Sequence, residues 1–131
     1  MARKGAEFAG LSVAITTPLV NGEVDYEALK RQVEFHVEAG TTCLCPVGTT
    51  GESPTLSHEE HERVIAEVVH AAAGRIKVMA GTGSNSTAEA LRLTAWAAKE
   101  GVQMGFASCR MLQQPYMLKS LSHRQALGNA G

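Results

Sequence analysis

The sequence predicts an α/β fold with a parallel sheet. Three apolar runs start near residues 11, 42 and 76, each followed by a helix-period pattern, so strand and helix alternate with a period of roughly thirty residues. A glycine closes each helical pattern, at Gly40, Gly74 and Gly101. The loops between strand and helix are rich in Gly, Ser and Thr, and they follow the strands' carboxyl ends, where parallel α/β folds bind ligands.

The first unit begins with Gly10–Pro18, a short apolar run that a proline ends. Asp25 then opens a helix with Leu29, Val33, His36 and Val37 on one face. The second runs from a strand over Thr42–Val47, through Gly48-Thr49-Thr50-Gly51-Glu52-Ser53, to a helix that starts at Ser57. There Ser57 and Glu60 form a capping box, and Val64, Ile65, Val68 and Ala72 form the buried stripe. In the third, a strand over Ile76–Ala80 leads into Gly81-Thr82-Gly83-Ser84-Asn85. Ser86 and Glu89 predict a second capping box, ahead of a helix carrying Leu93, Trp96 and Ala97. A fourth strand is expected at about 102–107. Eight such units close a barrel of about 250 residues, of which this chain holds three and the start of a fourth.

With 131 residues and 44% hydrophobic content the chain has one domain's length and can fill a core. The net charge is −1 with no basic block, so neither a nucleic-acid nor an anionic-membrane surface is expected. No apolar run reaches membrane-spanning length and Met1–Gly5 leads into no signal-like apolar region, which predicts a cytoplasmic protein. Cys43, Cys45 and Cys109 read as small buried hydrophobes. Cys43 and Cys45 share a strand face, but no second cluster completes a structural metal site. No cofactor or metal is expected. Neither Gly-rich loop carries the lysine of a phosphate-binding P-loop, and G-x-G-x-x-S at Gly81–Ser86 lacks the third small residue of a dinucleotide fingerprint.

Threonines 49 and 50 put two hydroxyls and several N–H groups at a strand's carboxyl end, with glycines that let the backbone turn tightly and approach a small anion. Helix-entry capping is the plain alternative. His58 and His61 lie one turn apart on the following helix, in a stretch (His58–Glu62) that also reads as a solvated face. His36 and His70 read as surface or half-buried residues.

Three stretches in order, Ala14-Ile15-Thr16-Thr17-Pro18, Gly48–Ser53 with Leu56–His61, and Ala80–Asn85, resemble the dihydrodipicolinate synthases, class I aldolase-type TIM (β/α)8 barrels of lysine biosynthesis. The resemblance covers about residues 8 to 101. Thr49 favours the synthases over the related sialic acid lyases, which resemble them with serine there. The resemblance implies an enzyme, a lyase condensing pyruvate with aspartate semialdehyde through a lysine Schiff base to give 4-hydroxy-tetrahydrodipicolinate. It implies that Thr50 binds the pyruvate carboxylate and Thr49 belongs to the proton relay. It also implies a lysine-inhibition site with counterparts in Ser53, His58, His61, Asn85 and Glu89, and a homo-oligomer, a tetramer in the family.

Past Gly101 the motifs stop. Where the family has a relay tyrosine stand Met111 and Leu112, and Tyr116 is out of register. All 13 acidic residues fall in the first 100 positions, whereas an even spread would put roughly four in the last 31. Residues 1–101 are therefore read as partial barrel and 102–131 as a divergent tail, out of frame or disordered. No lysine suits the Schiff base: Lys77 starts a strand, Lys30 and Lys99 lie on helices, and Lys4 and Lys119 lie in the irregular ends. The chain alone is expected to be inactive. The alternatives are a non-catalytic fragment that binds small carboxylates or lysine or joins intact subunits, and a fragment of a related sugar-acid aldolase.

Overall fold

Residues 6–107 are described by a computed structural model. Four parallel strands, β1 (Ser12–Ala14), β4 (Cys43–Cys45), β5 (Lys77–Gly81) and β6 (Met104–Phe106), form one sheet in the order β1-β4-β5-β6. Three helices, α1 (Tyr26–Glu38), α2 (His58–Ala72) and α3 (Thr87–Lys99), connect them. This is the repeating plan read from the sequence. The fourth strand is present: Met79, Ala80 and Gly81 pair with Met104, Gly105 and Phe106. Within the described residues the strand-and-helix plan therefore continues past Gly101 as far as β6. Cys109 and the remainder of the expected tail lie outside the described residues.

Between β1 and α1 sits a hairpin absent from the sequence reading, β2 (Leu19–Val20) against β3 (Glu23–Val24). Its turn is Asn21-Gly22, with φ of 53° and 84°. Two positive φ values in a two-residue loop are what a type I′ turn requires, and Asn-Gly is the dipeptide that supplies them most readily.

Each helix start is fixed by a side chain. Asp25 accepts a hydrogen bond from the Ala28 N–H at 2.9 Å, and at Ser57 the capping box is complete, with Glu60 reaching back to the Ser57 N–H at 2.8 Å. The second predicted box is only half formed. Ser86 accepts from the Glu89 N–H at 3.4 Å, but the Glu89 carboxylate turns instead to Ser84 and His58. The Ser86 N–H is satisfied by the Ser84 hydroxyl at 3.2 Å.

The core lies between the sheet and α1, α2 and α3. The register aligns Val13, Leu44 and Val78 on the helix-facing side, against Leu29, Val33, Val64, Ile65, Val68 and Leu93. All of the predicted stripe residues are buried or packed against this core except His36, which is half-buried with its Nδ1 3.1 Å from the Thr41 hydroxyl. His70 is exposed. Truncating a fully buried residue such as Ile65 to Ala should cost about 2–5 kcal/mol. No described helix is long and apolar enough to cross a membrane.

Candidate active-site loop and adjoining cleft

The loops after β1, β4 and β5 emerge on one rim, and their backbones are locked together. The β4–α2 loop opens with Val47, a buried β-branched residue at φ 50°. Such a conformation costs of order 1–3 kcal/mol and persists only where the surroundings fix it. Here the neighbours do so: the Gly81 N–H donates to the Pro46 carbonyl at 3.0 Å, and a Cβ on Gly81 would stand 2.3 Å from the Val47 carbonyl oxygen. Gly51 is equally confined, since a Cβ there would lie 2.9 Å from the Val47 nitrogen. The sequence reading gave the loop glycines to the approach of an anion. At Gly51 and Gly81 the requirement is the approach of the chain to itself, while Gly48 faces open space.

Thr17 completes the clamp. Its buried hydroxyl donates to the Gly51 carbonyl at 2.7 Å across 34 residues. No role was read for Thr17 alone, although it stands in the Ala14–Pro18 stretch. A threonine directly before a proline at a strand's end was the available signal.

The outcome is a loop whose frame is closely packed and whose two tip threonines are exposed. Thr49 and Thr50 are exposed on the rim, and among the described residues no group hydrogen-bonds their hydroxyls or N–H groups. Helix capping, the plain alternative for these threonines, belongs to Ser57 instead. Two adjacent hydroxyls and N–H donors suit a carboxylate, because charge-assisted bonds are roughly twice as strong as neutral ones.

Behind this loop is a cleft of about 390 Å³. Ser53, His58, His61, Asn85 and Glu89 all line it, so the structure gathers the second predicted group in one place. His61 is no part of a solvated helix face, being buried at 7% exposed, whereas the His58 side chain is 75% exposed. The His61 Nε2 lies 2.8 Å from the Gly81 carbonyl, which can only accept, so Nε2 carries the proton. Burial holds the imidazole below its usual pKa. The neutral ring leaves Nδ1 as acceptor for the Ser53 hydroxyl at 3.3 Å. Glu89 presents its carboxylate to the cleft, with His58 Nδ1 at 2.8 Å and the Ser84 hydroxyl alongside.

Ser53 also joins the cleft to the threonine loop, its N–H donating to the Gly48 carbonyl at 3.4 Å. Lys77 is at the opposite end of β5, paired with Glu7 at 3.1 Å and lying over the Phe8 ring. Lys30 and Lys99 are on α1 and α3. None of these amines reaches the rim.

Residues 7–124 match the model of the dihydrodipicolinate synthetase family. The chain belongs to that family. The match extends beyond the stretch of about 8–101 in which the motifs are legible. The 4-hydroxy-tetrahydrodipicolinate synthase of Ruegeria pomeroyi is 52% identical over 120 residues, which are 92% of this chain and 41% of that protein. Two solved structures extend the likeness. A dihydrodipicolinate synthase from Acinetobacter baumannii, complexed with pyruvate, is 41% identical with a TM-score of 0.82, over 95% of this chain and 43% of that one. One from Cyanidioschyzon merolae with lysine bound is 33% identical with a TM-score of 0.79, over 95% and 43%. The family is enzymatic, its members are lyases, and the strands described here are the leading strands of a TIM barrel. The chain spans about two-fifths of the length of its curated relatives.

Proposed function

We propose that this chain is the pyruvate-gripping part of a 4-hydroxy-tetrahydrodipicolinate synthase, which condenses pyruvate with aspartate semialdehyde through a lysine Schiff base. The observation that carries the reading is the Thr49-Thr50 tip, whose hydroxyls and N–H groups have no hydrogen-bond partner among the described residues, on a frame locked by Thr17, Gly51 and Gly81. Thr50 holds the pyruvate carboxylate with its hydroxyl and N–H, and Thr49 passes a proton. The Schiff-base amine comes from outside residues 6–107, since Lys30, Lys77 and Lys99 all lie away from the rim. The whole enzyme is expected to assemble as a tetramer in the cytoplasm.

Borohydride reduction in the presence of pyruvate tests the division of labour, because only an imine is fixed as a stable adduct. The chain should gain no mass. An adduct on Lys30, Lys77 or Lys99 would overturn the assignment.

The cleft supports a second role, binding of lysine as an inhibitor. Glu89 meets an ammonium, while Asn85 and Ser53 offer uncharged polar contacts. Calorimetric titration should give saturable heat with lysine that Glu89→Gln removes. Equal heat from both proteins would exclude Glu89 as the anchor.

A further inference from the structure

The Gly48 carbonyl accepts two hydrogen bonds, from the Gly51 N–H at 3.1 Å and from the Ser53 N–H at 3.4 Å. Thr49 and Thr50 stand inside the turns that these bonds close, so whatever fixes Ser53 also fixes the base of the threonine tip. Thr17 holds the Gly51 side of that tip. The Ser53 side is held from α2. The Ser53 hydroxyl donates to His61 Nδ1 at 3.3 Å, and His61 Nε2 donates to the Gly81 carbonyl at 2.8 Å. The Gly81 N–H returns to the Pro46 carbonyl at 3.0 Å. The bonds thus run from Pro46 through Gly81, His61 and Ser53 to Gly48, a circuit through three elements that closes on the chain it left.

Packing alone would be served by an apolar residue at position 61, as it is at Val64, Ile65 and Val68 on the same helix. A buried polar ring costs free energy unless its nitrogens are bonded, and here both are. Neutral imidazole accepts at one ring nitrogen while donating at the other, in one rigid plane, which is what the circuit requires between a hydroxyl and a carbonyl.

We propose that His61, with its ring neutral, is a positioning residue for the pyruvate grip, setting the Thr49 and Thr50 donors through Ser53 and the Gly48 carbonyl. The inference rests on the reading of Thr50 as the carboxylate holder. A loop ordered beforehand loses less conformational freedom when the carboxylate arrives. A proton on Nδ1 turns that atom into a donor, and the Ser53 hydroxyl then has no acceptor there. Glu62 on α2, Glu89 on α3 and the Gly81 carbonyl of β5 favour the charged ring and His58 opposes it, while burial outweighs the favourable groups. Arg92 of α3 also lines the cleft, paired with Glu62, and the β4–α2 loop contributes only the uncharged Ser53, Pro54 and Leu56.

Pyruvate titration of the isotope-labelled full chain, read at the Thr49 and Thr50 amides over a pH series, tests this, with circular dichroism checking the fold of each protein. Ser53→Ala should raise Kd by roughly 2–10-fold, the worth of one hydrogen bond. Ser53→Thr, which keeps the hydroxyl, should restore the parent value. The parent's Kd should rise as pH falls below the ordinary imidazole value near 6.5, and Ser53→Ala should lack that rise. Ser86→Ala weakens the α3 cap without touching the circuit and should bind pyruvate as the parent does, which separates positioning from lost stability. A parent-like Kd in Ser53→Ala, an acid rise that Ser53→Ala retains, or an equal loss in Ser86→Ala would overturn the proposal and leave the pyruvate reading standing. A parent whose threonine amides ignore pyruvate would overturn both. If Ser53→Ala does not fold, the parent's acid limb decides, and a Kd flat across it overturns the proposal.

Discussion

Gly81→Ala is the sharpest perturbation of the threonine frame. The new methyl would sit 2.3 Å from the Val47 carbonyl oxygen, 2.8 Å from its carbon and 3.0 Å from the Gly48 nitrogen. All three are backbone atoms, so no side chain can rotate away and the β4–α2 loop must move. Overpacking of this kind costs about 1–3 kcal/mol. For a cooperative unit of about a hundred residues, each kcal/mol lowers the melting temperature by about 4–8 °C, giving a fall of about 12 °C at mid-range. The displaced atoms lead directly into Thr49 and Thr50, so their amide resonances should shift as well. Gly22→Ala separates the two effects. Gly22 has φ 84° and open space around it, so its substitution strains the hairpin by about 1–2 kcal/mol and should leave the Thr49 and Thr50 amides unmoved. A Gly81→Ala protein that melts within about 1 °C of the parent, with unchanged threonine amides, would refute the packing argument.

Other outcomes follow from the same contacts. Thr17→Val keeps the shape but leaves the buried Gly51 carbonyl without its donor, and urea unfolding should show a loss of about 1–3 kcal/mol. His61 has its pKa lowered on folding, so the unfolded chain binds the proton more readily. Its contribution is present above the unfolded value near 6.5 and is lost as pH falls below that value toward the folded one. Unfolding free energy should therefore decline on that acid limb, and His61→Gln, which keeps a donor for Gly81, should flatten it. Ser57→Ala should cost about 0.5–2 kcal/mol. Ser86→Ala should cost less in the same denaturation series, because its box is half formed.

What the sequence made legible was local or periodic. The stripes Leu29–Val33, Val64–Ile65–Val68 and Leu93–Ala97 mark their buried faces by spacing alone, and Ser57 with Glu60 announces a helix start within four residues. The Asn21-Gly22 turn was equally local, yet its flanking strands are two residues each, too short to show alternation. The misread box at Ser86 shows the limit of local rules. Glu89 has the right spacing, but His58, 31 positions earlier, offers its carboxylate a competing partner. The clamp was hidden for the same reason. Thr17 acts on Gly51 and His61 on Gly81, and neither separation repeats any helical or strand period. The composition break after Gly101 was visible but carried no information about β6, whose pairing needs only backbone groups.

Pyruvate titration of the isotope-labelled chain, followed by amide resonances, addresses the central claim most directly. The account predicts saturable shifts at Thr49, Thr50 and Gly51 that Thr50→Val abolishes while the fold is retained. Shifts confined to the cleft around Asn85 and Glu89, or a Thr50→Val protein that responds as the parent does, would contradict it.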